Sequence, residues 1–177
     1  MTTRTIDGTT LELATGDITK QPDVDAVVNA ANARLEPGGG VAGAIHRAAG
    51  PGLVQECRPL APIQPGQAVV TTGHNLPNPW VVHALGPVYG HDEPSDELLA
   101  SCYRESLHAA SAKGAASIAF PAISTGAFGY PMQQAAQVAL SAIAREAPRY
   151  PALTLIRFVL ANDRDLKIHE GALDSVG

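Results

Sequence analysis

GGGVAGAIH, Gly38 to His46, is the stretch on which the reading of this chain turns. It contains G-x-G-x-x-G at Gly38, Gly40 and Gly43, the spacing with which Rossmann domains seat a pyrophosphate on a helix N-terminus. In that fold the glycines follow the first strand directly. Here the apolar run ends at Val28, and Gly38 comes ten residues later, after NAANARLEP. No acidic residue stands on a strand of its own about 20 residues further on, where such a domain holds the adenosine ribose. The redox fingerprint is therefore set aside, but its physics stands. Three consecutive glycines admit positive φ and let a ligand approach the backbone without Cβ obstruction. A helix expected over Val41–Ala49 aims its free amides at the same place, a site for an anion. Ordering three glycines costs chain entropy, which weighs against a plain flexible turn.

Outward from this loop, a second one has the same character. SIAFPAISTGAFGYP, Ser117 to Pro131, is a strand opening into Ser124-Thr125-Gly126-Ala127-Phe128-Gly129. Two glycines, two hydroxyls and a following helix again make a backbone nest for oxyanions. Ligands of α/β sheets bind outside the carboxyl ends of the strands. Two such loops can close on a diphosphate from both sides.

Strands are expected at Thr10–Leu13, Val24–Val28, Gln67–Thr72, Trp80–Ala84, Ser117–Phe120 and Leu153–Leu160, from short β-branched and apolar runs. Helices are expected at Val41–Ala49, Glu97–Lys113 and Met132–Ala147; the last carries Ala135, Val138, Ala139, Ala142 and Ile143 as a helical stripe. Gly114 stands at a helix C-cap, and Pro148 and Pro151 mark the exit from the next helix. Strands interleaved with helices give an α/β layered domain with a largely parallel sheet. The 177 residues fit one domain, 1–177, with a core from about residue 10 to 170 and Asp174–Gly177 frayed.

A 45% hydrophobic and 16% charged composition is that of a soluble globular protein. A net charge of −5 argues against general nucleic-acid binding, yet permits a small anion held by main-chain amides. Cys57 and Cys102, far apart and outside any CxxC, read as half-buried thiols of a reducing compartment. MTTRTIDGTT has no apolar signal core and no run approaches spanning length. A cytoplasmic monomer without membrane contact is expected.

GDIT at Gly16–Thr19, VVNAAN at Val27–Asn32, GGGVAGAIHRAAGP at Gly38–Pro51, HALGPVY at His83–Tyr89 and FPAISTGAFGYP at Phe120–Pro131 together resemble the macrodomain family, most closely its MacroD-type branch. The resemblance runs in order from Gly16 to about Ala161. It implies a three-layer α/β/α sandwich, a central mixed sheet of six or seven strands, and a cleft for ADP-ribose. Position by position, it implies that Asp17 accepts from the adenine amine, with the Ile18 amide beside it. Taken alone, Asp17 in GDIT reads equally as a turn or cap residue. Asn32 matches the asparagine on the distal ribose hydroxyls, where an amide donates and accepts at once; Asn29 reads as structural. Gly39, Gly40 and Val41 match the first phosphate loop, and Ser124, Thr125, Gly126, Ala127 and Phe128 the second, with Phe128 over the distal ribose. Neither a metal nor a cofactor is implied.

Two departures matter. Ala42 stands where many MacroD-type members carry an Asp that activates water, and Pro37 stands where viral relatives often have a histidine. What is left for catalysis is Asn32, His46 and the cradle. His46 lies four residues beyond Ala42 and so on the same helix face. Chemistry without a side-chain base would place a water between the ADP-ribose α-phosphate and the anomeric carbon; Glu36 is a further loop carboxylate nearby in sequence. At the adenine end, Ala161 replaces an aromatic common in relatives, leaving Asn162 or Phe158 to compensate. The function expected is a mono-ADP-ribosyl hydrolase acting on modified acidic side chains of proteins or on O-acetyl-ADP-ribose. The competing expectations are a reader of ADP-ribosylated targets without turnover and a hydrolase of ADP-ribosylated nucleic acid.

Overall fold

Near-continuous apolar runs, covered from both faces, generate the central strands. In a computed structural model, which describes residues 1–176, the elements are β1 (Thr2–Ile6), β2 (Thr9–Thr15), β3 (Ala26–Ala30), α1 (Gly40–Ala49), α2 (Pro51–Cys57), β4 (Ala68–Thr72), β5 (Trp80–Ala84), α3 (Ser95–Ala112), β6 (Ser117–Phe120), α4 (Met132–Glu146), β7 (Leu155–Leu160) and α5 (Asp163–Val176). The strands form one seven-stranded sheet in the order β1-β2-β7-β6-β3-β5-β4. The interior pairings β2/β7, β7/β6, β6/β3 and β3/β5 are parallel, and only the edges, β1/β2 and β4/β5, are antiparallel. The sheet is thus mixed rather than uniformly parallel.

Alternation along the strands sorts the core into two layers. Val28, Val82, Ile118, Phe120, Ile156 and Phe158 face α3, α4 and α5. Val27, Val81, Ala119 and Val159 face α1 and α2. The result is the α/β/α sandwich expected. Phe158, one of two residues offered as compensation at the adenine end, is buried in this core, stacked on Phe120 with centroids 5.6 Å apart and 5.8 Å from Tyr103. Tyr103 also reaches towards the sheet's carboxyl edge, where its hydroxyl accepts the Ile123 amide at 3.3 Å. Burial pushes this phenol above its usual range, so it stays a neutral hydroxyl.

Three elements escaped the sequence reading. β1 pairs with β2 through Asp7-Gly8, both at positive φ (47° and 88°), as a two-residue hairpin turn requires. α2 begins at Pro51 in its first turn, directly after Gly50 at φ 84°; its Pro-Gly start looks like a break, yet Pro is tolerated where an amide has no partner anyway. α5 buries His169, Ala172 and Leu173 and packs Leu166, Ile168 and Val176 partly against the core, a stripe diluted by charged residues and so hard to see in the sequence. α5 includes Asp174 and continues through Val176, and Gly177 lies outside the described residues. Strand ends differ from expectation by a few residues, with β3 reaching Ala30 and β7 beginning at Leu155.

Phe158→Ala should cost about 3–5 kcal/mol, the range for a fully buried aromatic. Tyr103→Phe should cost about 1–2 kcal/mol by leaving the Ile123 amide without its acceptor. Urea unfolding of both variants checks this ranking.

Candidate functional site

A cleft of about 440 Å³ opens along the carboxyl edge of the parallel strands. Its first wall grows from β3. Beyond Ala30 the Ala31 amide still donates to Ala84 across the sheet (2.9 Å). The chain then turns tightly, with Leu35 at φ 57° and buried. Asn32 clamps this turn: its Nδ2 donates to the Glu36 carbonyl (2.8 Å) and its Oδ1 accepts the Glu36 amide (3.0 Å). The clamp delivers Gly38–Gly40 to the start of α1. Gly39 is the N-cap and offers no side chain, Gly40 has φ 56°, and the first turn carries no acidic residue. Gly43 donates to Gly39 (3.2 Å), so the amides of Gly40, Val41 and Ala42 are those an α-helix leaves without internal acceptors. Gly43 must be bare, because a Cβ there would meet the Gly38 carbonyl oxygen at 2.3 Å.

The second wall grows from β6. Ser124 is held at φ 68°, with the Tyr130 amide donating to its carbonyl (2.9 Å). Thr125 Oγ1 donates to Ala122 (2.7 Å) and Gly129 to Gly126 (3.0 Å). The loop sits hard against Gly86, where a Cβ would lie 2.0 Å from Ser124 Oγ. That hydroxyl is buried without a partner among the described residues. α4 follows, again with no side-chain cap and no acidic residue in its first turn.

Of the residues singled out from the sequence, Asn32, Gly39, Gly40, Val41, Ser124, Thr125, Gly126, Ala127, Phe128 and Ala161 all line this cleft. Asp17, Ile18, His46 and Asn162 do not. Asp17 makes a turn of its own: Oδ1 accepts the Thr19 amide (2.9 Å) and the Thr19 hydroxyl (2.6 Å), which hold its carboxyl below the usual range. The GDIT turn is tied to the sheet through Gln21, whose Nε2 donates to the Asp17 carbonyl (2.9 Å) and whose Oε1 accepts from Arg157 (3.0 Å), itself also donating to Glu12 and Asp23. Ile18 is buried in the core on the α1/α2 side. Asn162 accepts the Asp165 amide at the start of α5 (2.8 Å), acting as a helix cap. Glu36 is exposed and outside the cleft lining.

His46 is buried on α1, outside the lining, with neither ring nitrogen partnered among the described residues. Burial lowers its pKa. Its ring lies 6.4 Å from that of His83. His83 is fully buried on β5 and pushed down to about 3 by desolvation, with neighbouring His46 adding to the effect. Asn29 Nδ2 donates to His83 Nδ1 (3.1 Å), so Nε2 carries the proton towards Thr71 Oγ1 (2.9 Å). The Asn29 bond thus runs across neighbouring strands, from β3 to β5. Cys57 and Cys102 are free and fully buried, more deeply than half-buried thiols, and burial pushes them up to about 11 and about 12.

Sequence reasoning missed Gly86, Met132 and Asp165 as lining residues. Gly86 lay within HALGPVY, but its need to be bare arises only from Ser124 across the chain. Met132 and Asp165 belong to the first turns of α4 and α5, which only the folded topology brings to the cleft.

His46, His83 and His169 all have pKa values lowered chiefly by burial. The unfolded chain therefore binds their protons first, and folding stability falls as pH drops below about 6.5. Each fully neutral histidine should cost about 1.4 kcal/mol per pH unit there, continuing for His83 towards about 3. Denaturant unfolding at pH 7.5 and pH 5 should show this loss, and His83→Gln should make it smaller; the lowered carboxylates Asp17, Asp23 and Glu56 add theirs only below that interval.

A profile of the Macro domain matches residues 28–139. The O-acetyl-ADP-ribose deacetylase of Klebsiella pneumoniae is 44% identical over 169 residues, covering 93% of this chain and 96% of the relative. The Oceanobacillus iheyensis macrodomain with ADP superposes with a TM-score of 0.94 at 38% identity, over 99% of this chain and 95% of that one. The Trypanosoma brucei macrodomain in complex with ADP-ribose gives 0.85 at 38% identity, over 94% of this chain and 69% of that one. Fold, glycine-walled cleft and sequence agree: the chain belongs to the macrodomain family.

Proposed function

We propose that this protein binds ADP-ribose in the glycine-walled cleft and hydrolyses mono-ADP-ribose from acidic side chains, or related esters such as O-acetyl-ADP-ribose. The observation that carries the reading is the uncapped, acid-free start of α1 facing the Ser124–Phe128 loop across one cleft. Main-chain amides on both walls suit a diphosphate, whose charge and oxygen count match two nests. Asn32 sits at the β3 end, next to the first wall, where the distal ribose would lie. Phe128, half-buried, supplies an apolar surface beside it.

Catalysis in this reading is positional. Ala42 offers no proton acceptor, and His46, neutral and outside the lining, acts as packing beneath α1. A water held between a ligand phosphate oxygen and the anomeric carbon forms the new C–O bond. The ester C–O bond breaks with its electron pair leaving on the carboxylate, and the water's proton passes to the phosphate oxygen and then to solvent. Holding the reactants in place supplies the acceleration, helped by amide dipoles fixed in advance.

A second reading, a binder without turnover, is favoured by one observation. No ionisable side chain lines the β3 end of the cleft among the described residues. Incubation with a protein mono-ADP-ribosylated on glutamate decides between them. Release of free ADP-ribose above the buffer rate is expected; tight binding in calorimetry with no release would establish the reader instead.

Asn32→Ala should lower turnover by about 100-fold while weakening ADP-ribose binding by less than about tenfold. His46→Gln should leave turnover within about threefold of the parent, since neither ring nitrogen enters the reaction; a loss as large as that of Asn32→Ala would restore His46 to the chemistry.

A further inference from the structure

Among the residues that line the cleft, Asp165 alone carries an ionisable side chain. Both of its main-chain groups are occupied. The amide donates to Asn162 Oδ1 (2.8 Å) and the carbonyl accepts from His169 Nδ1 (2.8 Å), so the residue is fixed in the first turn of α5. Its carboxylate takes no hydrogen bond from another described residue.

Topology says which part of a ligand meets it. The cleft lining follows strand ends in the order β7, β6, β3, β5. The two amide nests follow β3 and β6, whereas Asp165 follows β7, beside β2. A diphosphate in the nests directs one sugar towards Asn32 and the other, with its base, towards Val159, Ala161 and Asp165.

The helix ends reverse in charge along the same path. α1 and α4 start without a side-chain cap or an acidic residue, so their amides leave net positive partial charge in the cleft. α5 starts under Asn162 with Asp163 and Asp165 in its first turn, which cancels that charge. No cation offsets the carboxylate from within the lining: Arg164 and Lys20 are exposed and outside it, and Arg157 is held by Glu12 and Asp23.

From this arrangement we infer that Asp165 is a specificity-determining residue, whose carboxylate accepts a hydroxyl of the adenosine ribose and excludes ligands phosphorylated at that 2′ position. The inference rests on the ADP-ribose reading above. A hydroxyl gives a carboxylate a charge-assisted hydrogen bond, whereas a phosphate in its place sets two anions together. Dinucleotide-binding proteins of another fold use the same contrast, an acidic residue for the 2′-hydroxyl and arginine for the 2′-phosphate.

Calorimetric titration with ADP-ribose and with 2′-phospho-ADP-ribose tests it, each variant first shown to melt cooperatively. The wild-type protein should prefer ADP-ribose by about tenfold or more, and the preference should shrink as salt is raised. Asp165→Asn should bring the two affinities within about threefold, and Asp165→Arg should favour the phosphorylated ligand. Equal wild-type affinities, or an Asn variant that keeps the full preference, overturn the role of Asp165 while leaving ADP-ribose binding intact. Failure of the wild type to bind ADP-ribose at all removes the cleft reading itself, and this inference with it.

Discussion

Three backbone amides without acceptors, those of Gly40, Val41 and Ala42, are the constraint around which the cleft is organised. A helix that starts beneath a side-chain cap satisfies one of these donors internally; this one starts at Gly39, which has no side chain to offer. Keeping the donors free and aimed requires a rigid approach to the helix. The Asn32 clamp on Glu36, the positive φ of Leu35 and Gly40, and the contact of Gly43 with the Gly38 carbonyl supply it. The parallel order of β6, β3 and β5 then brings this helix start and the Ser124 loop to one edge of the sheet.

Beneath the cleft the protein accepts buried polarity. Asn29, His83 and Thr71 form a line of hydrogen bonds across β3, β5 and β4, and it holds because each bond has a definite donor. With Asn29 Nδ2 as donor, neutral His83 receives at Nδ1 and gives from Nε2 to Thr71. Asn29 Oδ1 is left buried without a partner among the described residues, so the line is only partly satisfied and that oxygen bears a desolvation penalty. Packing of Tyr103 against Phe120 and Phe158 supports the second wall from the opposite layer, through its hydroxyl on the Ile123 amide.

Much of this was legible in the residues alone. The glycine run, NAAN and the Ser124–Phe128 loop identify both walls because backbone conformation is written locally in glycine and in strand ends. Elements whose evidence is weakly periodic were not legible: β1 is a half-exposed edge strand, and α5 has an apolar stripe diluted by charged residues. The cleft's own membership was only partly readable. Gly86 is excluded from having a side chain by a residue 38 positions away, and Asp165 reaches the lining only because β7 lies between β2 and β6. His46 shows the reverse error. Helical spacing correctly puts it on the face of Ala42, but spacing does not tell a residue at the cleft from one packed behind it.

The use of main-chain donors has a consequence for how the site meets its surroundings. Peptide amides do not change protonation anywhere near physiological acidity, unlike the lysines or histidines with which many proteins hold phosphate. An anchor built from Gly40, Val41 and Ala42 keeps its donors from mildly acid to alkaline solution, for as long as the fold persists. Nor can acetylation or other side-chain chemistry erase it, because its donors are main-chain groups. Sensitivity to pH is left to side chains at the two ends of the cleft, while the donors at its middle are constant.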